Sequence, residues 1–146
     1  MKHISMGLLA GWLAFQAGAA ESDWMTDFAA AKKKAKDEKR MVLMDFTGSD
    51  WCPPCKALKK NVLSSAPFLD YARKNLVLVE VDFPRSKPQS DALKRANSAL
   101  QDKFNVEAFP TIVVLDSAGR ELSKKAGYGG EDPAEFIAAL EKLRKK

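Results

Sequence analysis

Two cysteines, Cys52 and Cys55, are the residues of this sequence best suited to covalent chemistry. They stand in the stretch SDWCPPCK (residues 49–56) with two prolines between them, and the 146-residue chain has no other cysteine. A C-x-x-C pair serves in three kinds of site: a metal site, a structural disulfide and a reversible thiol–disulfide couple.

A metal site is the least supported of the three. Structural zinc needs about four ligands, whereas the chain offers one cysteine pair and a single histidine, His3. A c-type haem attachment reads C-x-x-C-H, but Lys56 follows Cys55. The sequence therefore predicts no haem, and zinc would need ligands from a second copy of the chain.

A purely structural disulfide would stabilise the fold only slightly. A cross-link acts mainly by closing a loop in the unfolded chain, and its effect grows with loop length. For a loop as short as that between Cys52 and Cys55, the effect is about 2 kcal/mol. A redox couple is the better interpretation.

Helical geometry at the pair supports redox chemistry. Residues i and i+3 of a helix lie about 5–6 Å apart, within the Cα separation of a disulfide. We expect the helix to begin at Cys52, with Pro53 in its first turn, where no N–H is needed. Free N–H groups and the helix dipole would then favour a Cys52 thiolate as the attacking group. Cys55, one turn deeper and shielded, would be the resolving thiol.

The elements that position the pair follow from the spacing of apolar residues. We predict helices at about 23–40, 52–62, 64–75, 91–104 and 132–143, and strands at 41–46, 76–82, 110–116 and 120–127. In the first helix, one apolar stripe would include Trp24 and Phe28. Strands this apolar need helices on both faces. The prediction is an α/β fold: a three-layer α/β/α sandwich with a mixed central sheet, a C-terminal β-hairpin and a final helix.

The first 20 residues have the composition of a secretory signal peptide. A basic start at Lys2 precedes an apolar run, and the small residues 17–19 (A-G-A) fit a cleavage site. We therefore expect a signal peptide at 1–20, one domain at 21–146, and a periplasmic or secreted protein. A membrane-anchored form is the alternative, although the run is short of the roughly 20 apolar residues that a span needs.

The charge distribution gives no reason to expect a nucleic-acid partner. The formal net charge is +5, and basic clusters at 32–34 and 144–146 fall on predicted helix faces and ends. They lack the interleaved aromatic residues that favour a nucleic-acid surface. We interpret them as solvated.

Three segments together resemble the thioredoxin superfamily. MDFTGSDWCPPCK (44–56) resembles its active-site strand and helix, VEAFPT (106–111) its cis-proline segment, and KKAGYGG (124–130) the glycine-bearing stretch beside its substrate groove. The resemblance spans about residues 24–143 and is nearest to exported members with the motif G-S-D-W-C-x-x-C. It implies a thioredoxin fold and protein thiol–disulfide oxidoreductase activity, with no organic cofactor and no metal.

The resemblance also implies roles for residues around the pair. Trp51 would flank the disulfide as part of the docking surface. Pro110 would be cis, and Phe109 could pair its main chain with a bound substrate peptide. Gly127 would lie across the groove and leave space for that peptide. The alternatives are simple packing of Trp51, a trans Pro110 and an ordinary loop glycine.

Asp45 lies at the end of an apolar strand, where a carboxyl group is expected to be partly buried with a raised pKa. It would accept the proton of Cys55 through water; a solvated strand-end aspartate is the alternative. Asp45 stands one residue further from the first cysteine than in thioredoxin. Where thioredoxin has a lysine facing its buried aspartate, this sequence has Leu78, and Glu80 is the nearby polar residue. The segment at residues 84–104 is longer than the matching segment of thioredoxin.

The sequence thus predicts an exported, monomeric thiol–disulfide oxidoreductase, with the reductive direction favoured by its thioredoxin-like context. Its partners would be protein thiols and disulfides. A membrane electron carrier or a periplasmic thiol protein would reset the site. A disulfide-donating oxidase, an isomerase, and a binding module with a non-essential cysteine pair remain open.

Overall fold

The computed structural model describes residues 23–146, so the predicted signal peptide lies outside the described residues. The described chain forms five strands and five α-helices: β1 (Trp24–Met25), α1 (Phe28–Glu38), β2 (Met41–Thr47), α2 (Pro53–Leu58), α3 (Ala66–Asn75), β3 (Leu76–Asp82), α4 (Asp91–Lys103), β4 (Thr111–Leu115), β5 (Glu121–Ala126) and α5 (Pro133–Arg144). A π-helical turn (Lys59–Leu63) continues α2. None of the helices within 23–146 is long and apolar enough to cross a membrane.

The central sheet is mixed, with strand order β1-β3-β2-β4-β5. β2 pairs in parallel with β3, and β4 runs antiparallel to both β2 and β5. The register places Asp45 beside Glu80 and Thr47 beside Asp82. Polar side chains of two parallel strands therefore meet at the same edge of the sheet.

Apolar side chains cover both faces of the sheet, as its strand composition predicts. One core cluster joins Met44 and Phe46 of β2 to α1 and α4, and the other joins Leu43 to the π-helical turn, α3 and α5. Successive strand residues point to opposite faces, so each central strand contributes to both clusters. This arrangement confirms the predicted three-layer α/β/α sandwich.

Side-chain caps mark the helix starts that the sequence indicates. Ser65 accepts a hydrogen bond from the backbone N–H of Phe68 at the start of α3. Asp132 and Glu135 form a capping box at the start of α5, each accepting a hydrogen bond from the other's backbone N–H. These caps satisfy N–H groups that a helix leaves without a partner at its first turn.

The first predicted helix begins too early. Trp24 and Met25 form β1, which pairs in parallel with residues 78–79 of β3, and α1 begins only at Phe28, after the capping residue Asp27. Helical spacing between Trp24 and Phe28 could not reveal this. Pairing with the exposed edge of β3 satisfies backbone groups that only the assembled sheet presents.

Candidate active site

Cys52 and Cys55 are joined by a disulfide, with their Cα atoms 5.3 Å apart. Cys52 is the N-cap residue of α2 and has an extended backbone, while Pro53 occupies the first turn. Cys52 therefore stands at the N-terminus of α2, as the sequence predicts. Both cysteines are only 3% exposed, so Cys52 is shielded as strongly as Cys55 in the disulfide form.

A short turn at residues 48–51 connects β2 to α2 and positions Cys52. The backbone N–H groups of Trp51 and Cys52 both donate to the carbonyl oxygen of Gly48, at 3.2 and 2.9 Å. Gly48 is buried, and a Cβ atom there would overlap the Trp51 indole. The indole thus lies directly against the backbone of its own turn.

Trp51 is fixed from several further directions. Its indole N–H donates to the carbonyl oxygen of Phe83 at 2.8 Å. Its ring meets Phe109 edge-on, with centroids 6.0 Å apart, and the guanidinium carbon of Arg85 lies 3.8 Å from its centroid. Phe83 in turn stacks on Phe109 at 5.0 Å. These contacts form an aromatic wall beside Cys52.

Two aspartates anchor the 48–51 turn: Asp82 joins it to the end of β3, and Asp50 joins it to the loop at residues 83–90. Asp82 accepts hydrogen bonds from the backbone N–H and the hydroxyl of Ser49, at 3.0 and 2.5 Å. Asp50 accepts from the backbone N–H groups of residues 85–87, and these bonds lower the pKa of its carboxyl to about 2. We call this pair of contacts the double clasp. The double clasp was not predicted from the sequence, although Ser49 and Asp50 are residue types whose side chains often bind backbone groups in turns.

Asp45 is 3% exposed, and its Oδ1 has no hydrogen-bond partner among residues 23–146. Burial raises the pKa of this carboxyl to about 7; Lys59 opposes the shift, while Glu80 and Asp82 add to it. Asp45 and Cys55 line the same cavity of about 250 Å³. That volume holds several water molecules at about 30 Å³ each, so water can connect the carboxyl to the cysteine.

Lys59 supplies the cation that faces Asp45. It lies in the π-helical turn after α2, with its Nζ 4.0 Å from the Glu80 carboxylate and 4.3 Å from the centroid of the Trp24 ring. Leu78, where the resemblance would place a lysine, is buried in the core. From the sequence, the cation facing Asp45 was sought only in β3. Lys59, one helical turn beyond Cys55, was missed.

The Phe109–Pro110 peptide bond is cis. Pro110 is buried, and its carbonyl oxygen accepts a hydrogen bond from Gly127 N–H at 2.7 Å. Gly127 has a positive φ of 82°, and no atom lies within 4 Å of the position its Cβ would occupy. The structure therefore brings Phe109 to Trp51, and Gly127 to Pro110, with open space at Gly127.

The cysteine pair thus lies between two different surroundings. The aromatic wall with Arg85 adjoins Cys52 through Trp51, and the cavity lined by Asp45 adjoins Cys55. Residues 23–146 contain no group of three or more histidine, cysteine, aspartate or glutamate side chains placed to hold a metal ion. The arrangement can open and close a disulfide and exchange one proton with a neighbouring carboxyl.

Comparison with known proteins points to the same chemistry. The family model of the thioredoxin-like domain matches residues 28–144. The chain is 31% identical over 126 residues to the disulfide bond reductase DsbH of Chlamydia pneumoniae, covering 86% of this chain and 73% of that protein. It is 32% identical over 108 residues to the thioredoxin-related protein DsbJ of the same organism, covering 74% of this chain but only 31% of DsbJ. A solved structure of a DsbH oxidoreductase superposes with a TM-score of 0.78 at 28% identity, covering 96% of this chain and 95% of that one.

Proposed function

This chain belongs to the thioredoxin-like family of thiol–disulfide oxidoreductases, and we propose that it acts as an exported reductase of protein disulfides. The observation that carries the proposal is the Cys52–Cys55 pair at the start of α2, beside a buried carboxyl on a shared cavity. The reductive direction is supported by the name of the relative DsbH, a disulfide bond reductase that the chain matches over 86% of its length.

The reaction begins with the reduced pair. The Cys52 thiolate attacks one sulfur of a substrate disulfide, forming a mixed disulfide and releasing the other substrate sulfur as a thiolate, which takes a proton from water. Cys55 then loses its proton and attacks the Cys52 sulfur. This step closes the Cys52–Cys55 bond and releases the second substrate thiolate. Two electrons pass from the pair to the substrate.

Asp45 accepts the proton of Cys55 through water in the shared cavity. A base is most useful when its pKa lies near the working pH, and burial raises the pKa of Asp45 to about 7. Lys59 and Glu80 adjust this pKa in opposite directions. The carboxyl is therefore available as a base at neutral pH and becomes protonated below it.

The substrate docks across the aromatic wall. Trp51 presents a partly exposed ring beside Cys52, and Phe109 pairs its main chain with an extended substrate segment. Gly127, bonded to Pro110, leaves room for that segment because nothing occupies the space at its Cβ position. The substrates are proteins with accessible disulfides.

The oxidised pair is reset by an electron donor outside the cytoplasm, either a membrane electron carrier or a periplasmic thiol protein. Support for export comes from the composition of residues 1–20, which have a basic start, an apolar run and a small-residue cleavage site. The domain works as a monomer with its substrate and its donor in turn.

A trapping experiment tests the exchange reaction. Reduced Cys55→Ser protein is mixed with insulin, a protein with accessible disulfides, and the products are separated without reductant. We expect a covalent adduct that reductant releases, because the mixed disulfide on Cys52 can no longer be resolved. Cys52→Ser is the matched control and should form none. Equal, non-covalent capture of insulin by both variants would instead identify a binding module.

The reduction potential tests the direction. The wild-type domain is equilibrated against dithiothreitol or glutathione, and its free thiols are counted. A potential near or below about −250 mV agrees with a reductase, whereas one above about −150 mV would identify a disulfide donor.

A further inference from the structure

Arg85 places a cation without a carboxylate partner in the wall beside the cysteine pair. Its guanidinium carbon lies 3.8 Å from the Trp51 centroid, and the side chain is exposed to solvent. Within residues 23–146, the guanidinium makes no ion pair and no hydrogen bond. A guanidinium has five N–H donors, so all of them are available to a ligand.

Asp50, one half of the double clasp, holds the backbone of Arg85 in this position. Asp50 accepts hydrogen bonds from the backbone N–H of Arg85 at 3.0 Å and of Ser86 at 2.6 Å. Since Asp50 belongs to the 48–51 turn, the backbone of Arg85 is tied directly to the turn that positions Cys52. The Asp50 carboxylate accepts these backbone hydrogen bonds and makes no ion pair with the guanidinium within 4.0 Å.

The Trp51 indole fixes the place of the guanidinium. The guanidinium carbon lies over the Trp51 ring, and such a cation–π contact stabilises the charge without using its N–H groups. The N–H groups lie in the guanidinium plane and point to its edge, where they match the two oxygens of a carboxylate. The guanidinium is therefore held on Trp51 with its N–H groups free for a planar, bidentate anion.

We propose that Arg85 is a substrate-recognition residue that binds an aspartate or glutamate side chain close to the reacting cysteine of the protein substrate. This inference rests on the proposed disulfide exchange at Cys52. It also assigns a role to the long segment after β3: the 83–90 loop forms part of the substrate site.

Neighbouring charges favour the same kind of partner. Lys56 and Lys60 line the cavity beside Cys55, both are exposed, and neither has a carboxylate within 4.0 Å in the described chain. Lys87 of the same loop already pairs with Asp82 at 3.4 Å. The positive charges of Lys56 and Lys60 would thus attract an acidic segment to the surface around the cysteine pair, while Arg85 provides the specific contact.

A pair of matched peptides tests the proposal. Each is a disulfide-linked dimer with an acetylated N-terminus and an amidated C-terminus, so that only side chains carry charge; glutamate flanks the cysteine in one and glutamine in the other. The second-order rate constant for oxidation of the reduced wild-type protein is measured with each. We expect the glutamate peptide to react about tenfold faster at low salt, with a smaller ratio at high salt.

Variants then assign the preference to one side chain. Arg85→Met keeps a long side chain against Trp51 but removes the charge, so the ratio should fall to about twofold, the part due to the other cations. Arg85→Lys keeps the charge without the planar fork and should give an intermediate ratio. Arg95→Met removes another exposed arginine, in α4, and should leave the ratio unchanged.

The ratio is insensitive to a general loss of activity, because such a loss slows both peptides equally. Equal rates for the two peptides with the wild-type protein, or a full preference retained in Arg85→Met, would overturn the role of Arg85. No reaction of the wild-type protein with either peptide would instead refute the disulfide exchange itself.

Discussion

Replacing Asp45 by asparagine tests whether the buried carboxyl controls the pH response of the molecule. Burial raises the pKa of this carboxyl from 3.8 to about 7 in the folded protein. A carboxyl with a raised pKa binds its proton more tightly in the folded state than in the unfolded chain. Stability is therefore lost as the pH rises from about 4 towards 7, and the asparagine variant should lack this loss.

The size of the effect follows from the two pKa values. The full penalty for ionising Asp45 in the folded protein is about 4 kcal/mol. Of this, about 2–3 kcal/mol develops between pH 5 and pH 8. The wild-type protein should lose that much more free energy of unfolding over this interval than Asp45→Asn does.

The assay is urea unfolding of the oxidised protein at pH 5 and pH 8. In the oxidised form the cysteines do not titrate, and the only histidine of the sequence, His3, lies in the predicted signal peptide, so few other groups interfere. Any cost of burying the asparagine amide is the same at both pH values and cancels in the comparison. Asp102→Asn, at an exposed position of α4, is the matched control and should keep the wild-type dependence.

Parallel pH dependences for the wild-type protein and Asp45→Asn would refute the reasoning. They would mean that the Asp45 carboxyl is ionised in the folded protein at pH 5, and that the cavity solvates it as well as water does. Asp45 would then be a much weaker base for Cys55 than a carboxyl whose pKa lies near neutral pH.

Three further changes test the surroundings of the site. Lys59→Met removes the cation that lowers the pKa of Asp45, so the carboxyl should titrate above pH 7 when followed by NMR; an unchanged or lower pKa would contradict the assigned contact. Gly48→Ala places a methyl group where the Trp51 indole lies. The indole must move, so the tryptophan fluorescence should shift and the free energy of unfolding should fall by about 1–3 kcal/mol. An unchanged spectrum and an unchanged stability would show that the turn adapts to the methyl group. Asp132→Ala removes the capping box of α5 and should lower the free energy of unfolding by about 1 kcal/mol, measured in urea, whereas no loss would mean that solvent replaces the cap.

Most of the secondary structure could be predicted because its signals are local. Apolar strands such as 41–46 and 76–82, and caps such as Ser65 and Asp132, depend on neighbouring residues that the sequence shows directly. The exception is β1: its two residues become a strand because the edge of β3 is there to pair with. Short edge strands carry too little pattern of their own to be recognised.

The site shows the same division. The spacing of Cys52 and Cys55, with a proline in the first helical turn, is enough to indicate a redox pair at a helix start. The position of Asp45 at the end of an apolar strand indicates burial, and the carboxyl is indeed buried in the folded chain. Both inferences depend on the chemistry of single residues and on regular helix and strand geometry.

Only the tertiary structure revealed what surrounds the pair. Arg85 reaches Trp51 across 34 positions of sequence, and Lys59 reaches Asp45 from a different element, the π-helical turn. Hydrogen bonds and charge–ring contacts act over a few ångströms, so distant residues meet only when packing brings their elements together. The amino-acid sequence by itself determined the elements and the thiol chemistry, while the folded chain decided which charges and rings face the cysteines.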